Sequence, residues 1–174
     1  MFRTLMVLFA LLSPSTQAAE PATIYPRTLL IVSDMEASKR FYGYALGLKL
    51  TRDAPIADAV TWKHLGIADT HAARIVVYDT AETLYGKPRE SAVIALLQVS
   101  DPPLPRRPRA ANLMAGDAVM ALRTDDIDTV IARLKEIGAI FAVEPVRTPD
   151  GLIEMAVLDP DGVRMQINQR PDRE

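Results

Sequence analysis

The sequence predicts an α+β fold, two βαβββ modules forming one domain around a cleft. Three observations lead there. A strand–cap–helix–glycine pattern occurs twice, with 13 residues from Asp34 to Gly47 and again from Asp125 to Gly138; equal spacing repeated in one short chain suggests duplication. Each copy is followed by further strand-like runs. At 174 residues, 49% hydrophobic and 24% charged, the chain also carries enough apolar surface for a packed core of about one domain.

The amino terminus stands apart from this plan. Arg3 precedes an apolar run from Leu5 to Leu12, Ser13-Pro14-Ser15 breaks it, and small residues follow to Ala18-Ala19. That layout reads as a secretory signal peptide over residues 1–19, its apolar stretch too short to span a bilayer. The protein is therefore expected to be exported, periplasmic or secreted, with no membrane association after cleavage.

In the first module, Thr28 to Val32 is a β-branched and leucine run suited to a buried strand. Ser33-Asp34-Met35-Glu36 reads as a capping box with Ser33 as the cap. Met35, Phe41, Tyr42, Ala45 and Leu46 share one side of the helix that follows, and Gly47 closes it in the left-handed conformation. Strands are expected at Leu48 to Arg52, Arg74 to Tyr78 and Val93 to Val99, with a short helix over Asp58 to Gly66 and a polar surface loop from Thr80 to Ser91. The second module repeats this plan. Val119 to Leu122 is a strand, Thr124-Asp125-Asp126 an N-cap cluster, and Ile127, Val130, Ile131 and Leu134 an apolar stripe ending at Gly138. Strands follow at Ile140 to Val146, Ile153 to Leu158 and Val163 to Asn168, the last two joined by the turn residues Asp159-Pro160-Asp161-Gly162. Between the modules, four prolines and three arginines from Pro102 to Arg109 make a solvated linker. The resulting division is module one over 27–99, linker over 100–117 and module two over 118–169.

Composition excludes several functions. A net charge of −2 argues against a general nucleic-acid binder. With no cysteine there is no disulfide framework, thiolate metal site or thiol nucleophile. The isolated glycines Gly86, Gly116 and Gly151 form no phosphate-binding loop. Asp34, Glu36, Asp125, Asp126 and Asp128 lie in first helical turns, where negative charge offsets the helix dipole, and they are read as structural.

The segment from Leu30-Ile31-Val32-Ser33-Asp34 through Phe41-Tyr42 to Leu46-Gly47-Leu48, with Leu158-Asp159-Pro160-Asp161-Gly162-Val163-Arg164-Met165-Gln166-Ile167, resembles the vicinal oxygen chelate superfamily. That group includes glyoxalase I, bleomycin-resistance proteins and extradiol dioxygenases. The resemblance covers residues from about Arg27 to Gln169 and implies sheets curled around a cleft, often within a homodimer. It also implies where metal ligands would stand: Arg27, Ala95, Val119 (or Ala118) and Gln166. Arginine offers a metal no lone pair, and alanine and valine have no donor. Gln166 alone is insufficient for a catalytic metal, which takes three or four protein ligands. Neither His64 nor His71 lies on these strands. No metal and no other cofactor is therefore expected.

Strand alternation then assigns the cleft face. Arg27, Leu29 and Ile31, Val119, Ala121 and Arg123, and Arg164, Gln166 and Asn168 are expected to face the cleft. Arg74, Val76 and Tyr78 are assigned to the same face, and Glu154 joins them. Arg27, Arg74, Arg123, Arg164 and Gln166 are thus candidate ligand-binding residues for a small, anionic molecule, and Glu154 and Tyr78 candidate acid–base groups. Three functions fit: a metal-independent protein binding a small molecule in the cleft between its two modules, a glyoxalase-like lyase or isomerase with a non-standard or metal-free site, and a non-catalytic interaction domain.

Overall fold

The computed structural model describes residues 27–56, 64–67, 72–84, 86–88, 92–108 and 112–171. The signal peptide, Trp62, His71 and most of the expected Asp58 to Gly66 helix lie outside the described residues.

Strand β1 (Arg27–Val32) leads into a short helix α1 (Met35–Lys39), which widens into a π-helical turn at Arg40–Ala45. Strands β2 (Lys49–Ile56), β3 (Ala72–Asp79) and β6 (Val93–Asp101) complete the first sheet. A small hairpin of β4 (Thr83–Leu84) and β5 (Lys87–Pro88) lies within the loop expected between Thr80 and Ser91. The second module runs β7 (Val119–Arg123), α2 (Ile127–Glu136), β8 (Ile140–Arg147), β9 (Ile153–Leu158) and β10 (Arg164–Gln169). The sheet orders are β1-β6-β3-β2 and β7-β10-β9-β8, so the two modules share one topology. In each, the first strand runs parallel to the last and the others are antiparallel.

Both helices start and stop by local chemistry. Asp34, not Ser33, caps α1: its carboxylate accepts the Ala37 N–H at 3.0 Å. Asp126 does the same for α2, accepting from Thr129 at 3.2 Å. Gly47 and Gly138 follow the two helices at φ +69° and +68°, a region side chains disfavour.

One hydrophobic core spans both modules. Met35, Phe41, Tyr42 and Ala45 meet Ile127, Val130 and Leu134 of the other helix, and both pack on one face of each sheet. Val32, Val76, Tyr78, Ile94 and Leu96 come from the first sheet, and Met155, Val157, Met165 and Ile167 from the second. The opposite, outer face of each sheet is left for other work. A second cluster of Ile67, Ala73, Leu97 and Val99, with Leu29, Ile56 and Leu104 of the linker packed on it, covers part of the first outer face.

Candidate functional site

The face assignment of β3 needs correction. Tyr78 is 2% exposed and belongs to the shared core with Val76, so it points to the helices rather than the cleft. The reason is Gly43. A Cβ there would stand 3.1 Å from the Tyr78 hydroxyl oxygen, so the missing side chain makes room for the ring. Burial pushes the Tyr78 phenol upward in pKa, and the residue has no access to the outer face. Arg74 follows the same parity. Its guanidinium grips Asp53 at 2.6 and 2.7 Å and reaches Glu36 of α1 at 2.9 Å, while Lys39 adds a 2.8 Å contact to Asp53. The Arg74 and Lys39 hydrogen bonds hold the Asp53 carboxyl well below the usual range. Arg74 thus ties α1 to β2 and β3.

With that correction, strand register defines the first outer face. Successive cross-strand rows read Arg27, Val93, Asp79, Lys49; then Leu29, Ala95, Val77, Arg52; then Ile31, Leu97, Ile75, Ala54; then Val99, Ala73, Ile56. A pocket of about 490 Å³ opens on it. Leu29, Ile56, Ile75 and Leu97 form its floor, His64 and Leu65 its rim, and Arg27 and Arg52 its polar end. All eight residues belong to the first module. Among the described residues, no carboxylate lines this pocket, and neither Arg27 nor Arg52 is ion-paired. Arg52 was given no role from the sequence; a bulge between Leu50 and Arg52 shifts the alternation of β2 and brings it onto this face.

The remaining candidates stand on the second outer face. Its rows read Val119, Arg164, Leu158, Ile140; then Ala121, Gln166, Ala156, Val143; then Arg123, Asn168, Glu154, Val146. Arg123 donates to Asn168 at 3.3 Å, and Gln166 donates to Glu154 at 3.3 Å. Val119, Ile140, Val143 and Val146 on this face are 44–50% exposed.

Turn residues Asp159 and Asp161 do more than reverse the chain. The Ser33 amide donates to Asp161 at 3.0 Å, and the Ser33 hydroxyl bonds to the other Asp161 oxygen while accepting from Arg106 of the linker at 2.7 Å. Asp159, 2% exposed, accepts from the Tyr42 hydroxyl at 2.7 Å and from the amides of Asp161 and Val163. Burial pushes the Asp159 carboxyl up, and its three hydrogen bonds act against that. Burial and the facing carboxylate push the Tyr42 phenol far above its ordinary value. One turn of the second module thereby clamps both the strand end and the helix of the first.

Among the described residues, the positions that the resemblance assigns to metal ligands supply few donor atoms. Ala95 and Val119 lie on outer faces without donor atoms and Arg27 brings only a cation, which leaves the carbonyl oxygen of Gln166, whose amide nitrogen donates to Glu154. Among the described residues, no three His, Asp or Glu side chains converge to hold an ion.

A family model, the glyoxalase/bleomycin resistance protein/dioxygenase superfamily, matches residues 24–167. The chain belongs to that superfamily. Among solved structures it is similar to a glyoxalase-family protein from Bacillus cereus, at TM-score 0.71 and 18% identity, over 89% of this chain and 99% of that one. A glyoxalase/dioxygenase from Nostoc punctiforme aligns at TM-score 0.58 and 20% identity, covering 95% of this chain and all of the other. An antibiotic-binding protein from a Streptomyces species aligns at TM-score 0.50 and 25% identity, over 87% and 99% of the two chains. No curated protein matches the sequence.

Proposed function

We propose that this superfamily member is an exported, metal-independent protein that binds a small molecule on the outer face of its first sheet. The pocket of about 490 Å³ carries the reading, since its size and largely apolar lining are those of small-molecule sites. The likeness to an antibiotic-binding protein supports binding rather than turnover. So does the burial of Tyr78 in the shared core, on the side of the first sheet away from this pocket. Thermal-shift screening of the mature protein against a broad compound panel tests the reading, with Leu97→Trp as the variant that fills the floor. Compounds should raise the Tm of the wild type and not of the variant. A panel without any hit removes the proposal. Stoichiometric zinc, nickel, manganese or iron in purified protein would remove its metal-independent part.

An enzyme reading rests on Glu154, held by Gln166 on the second outer face. Loss of a measured lyase or isomerase activity in Glu154→Gln, with Tm unchanged, would favour it. The proposal also places a second copy of the chain against that face, whose exposed valines and isoleucine would then be covered. Light scattering at micromolar concentration should report a dimer, and a monomer would refute this part.

A further inference from the structure

The polarity of the first-module pocket is arranged along one direction, and this specifies what it takes. Resting on the small-molecule reading above, we infer that the ligand is an amphipathic organic anion: one carboxylate, sulfonate or phosphate on an apolar body, bound acid end toward Arg27 and Arg52. The two arginines occupy the first two cross-strand rows, and the apolar floor continues through Ile75 and Leu97 to Ile56 in the rows beyond. Arg27 sits on edge strand β1 and Arg52 on the opposite edge strand β2, so they flank the entrance from both sides. Three strand spacings put about 14 Å between those edges, a gap that two long side chains reaching inward can close upon a bound acid.

Charge and burial agree with this direction. The chain as a whole has 22 acidic and 20 basic residues, yet the described residues that line this pocket are two arginines, one histidine and five apolar side chains, with no acid among them. Asp79, on the same row as Arg27, pairs in register with Lys49 and is not part of the lining. Guanidinium groups without a protein carboxylate suit bidentate binding of a planar or tetrahedral anion. At the far end, Ile67 and the linker residue Leu104 pack against the same apolar cluster as Leu97 and Ile56. Four residues of strand from the second to the fourth row make about 13 Å. A chain of about eight to ten carbons or a two-ring aromatic acid spans that distance.

The test uses three probes on mature protein by titration calorimetry: decanoate, the aryl sulfonate 1-anilinonaphthalene-8-sulfonate, and neutral 1-decanol. Both anions should bind at least about tenfold more tightly than the alcohol. Arg27→Gln and Arg52→Gln should each weaken the anions about tenfold or more, as expected for loss of a charged hydrogen bond, and leave 1-decanol unchanged. Arg147→Gln, on β8 of the other sheet, serves as the control and should change nothing. Equal affinity for alcohol and anions, or indifference to both arginine variants, overturns the anion inference while leaving small-molecule binding intact. If neither anion binds at millimolar concentration although the broad panel yields neutral ligands, the ligand class is wrong and the pocket reading survives. No binding in either experiment removes both.

Discussion

Replacing Tyr42 by phenylalanine isolates the clamp between the modules. The change keeps the buried ring and deletes one hydroxyl, whose 2.7 Å bond to Asp159 is made across 117 positions of sequence. A hydrogen bond to a charged partner contributes about 1.5–3 kcal/mol, and one between neutral groups about 0.5–1.5 kcal/mol. For a protein of this size each kcal/mol moves the Tm by roughly 2–4 °C, so Tyr42→Phe should lower it by about 3–12 °C at pH 7. The deficit should also depend on pH. Burial raises the folded Asp159 carboxyl above its ordinary 3.8, a shift opposed by the Tyr42 bond. A raised folded value means that this group's contribution is fully present below the unfolded value and is lost as pH rises through the folded one. Without the hydroxyl the folded value rises further, so more is lost on ionisation. The gap between wild type and variant should therefore be small near pH 3.5 and full at pH 7. In an Asp159→Asn background the pH dependence of the gap should vanish. Thermal unfolding by circular dichroism from pH 3.5 to 8 measures all of this. An unchanged Tm at pH 7, or a gap that is larger in acid, would refute the reasoning.

Gly138→Ala probes the helix closure, since an added Cβ meets nothing within 4 Å and only the φ of +68° is strained. It should cost about 1–2 kcal/mol in denaturant unfolding, and a neutral result would mean the turn relaxes. Leu134→Ala, at a fully buried position between the helices, should cost about 2–5 kcal/mol with an unchanged m-value. Asp53→Asn should cost under about 1 kcal/mol, less at high salt, because its ion pairs with Arg74 and Lys39 are solvent-accessible. Extended dialysis against a chelator should leave the Tm unchanged if the protein works without metal, and a drop reversed by one divalent ion would contradict that.

Much of this molecule was legible in its sequence because periodicity encodes one-sidedness. The apolar stripes in both helical segments named side chains that are buried, although the first runs into a π-helical turn, and the glycines, thirteen positions after Asp34 and twelve after Asp126, marked where the chain leaves the helix. Alternation also placed Leu29, Arg123, Gln166 and Glu154 on outer faces, since their strand neighbours are clearly apolar on the other side. It failed on β3, whose run Ile75-Val76-Val77 is apolar on both faces and so carries no sign. There the tertiary structure decided, through the gap Gly43 leaves for Tyr78 on the helix side. Arg52 was not among the residues that alternation assigned, and the bulge in β2 that brings it onto the outer face is a pairing irregularity that one strand's sequence does not display. The capping motif was ambiguous for a similar reason: Ser33 and Asp34 are both good caps, and Ser33 was taken by Asp161, 128 positions away. Local chemistry by itself determined the elements, their ends and their apolar sides. Which face of a two-sided strand meets the helices, and which carboxylates join the modules, depended on contacts between residues far apart in sequence, and those exist only once the chain has folded.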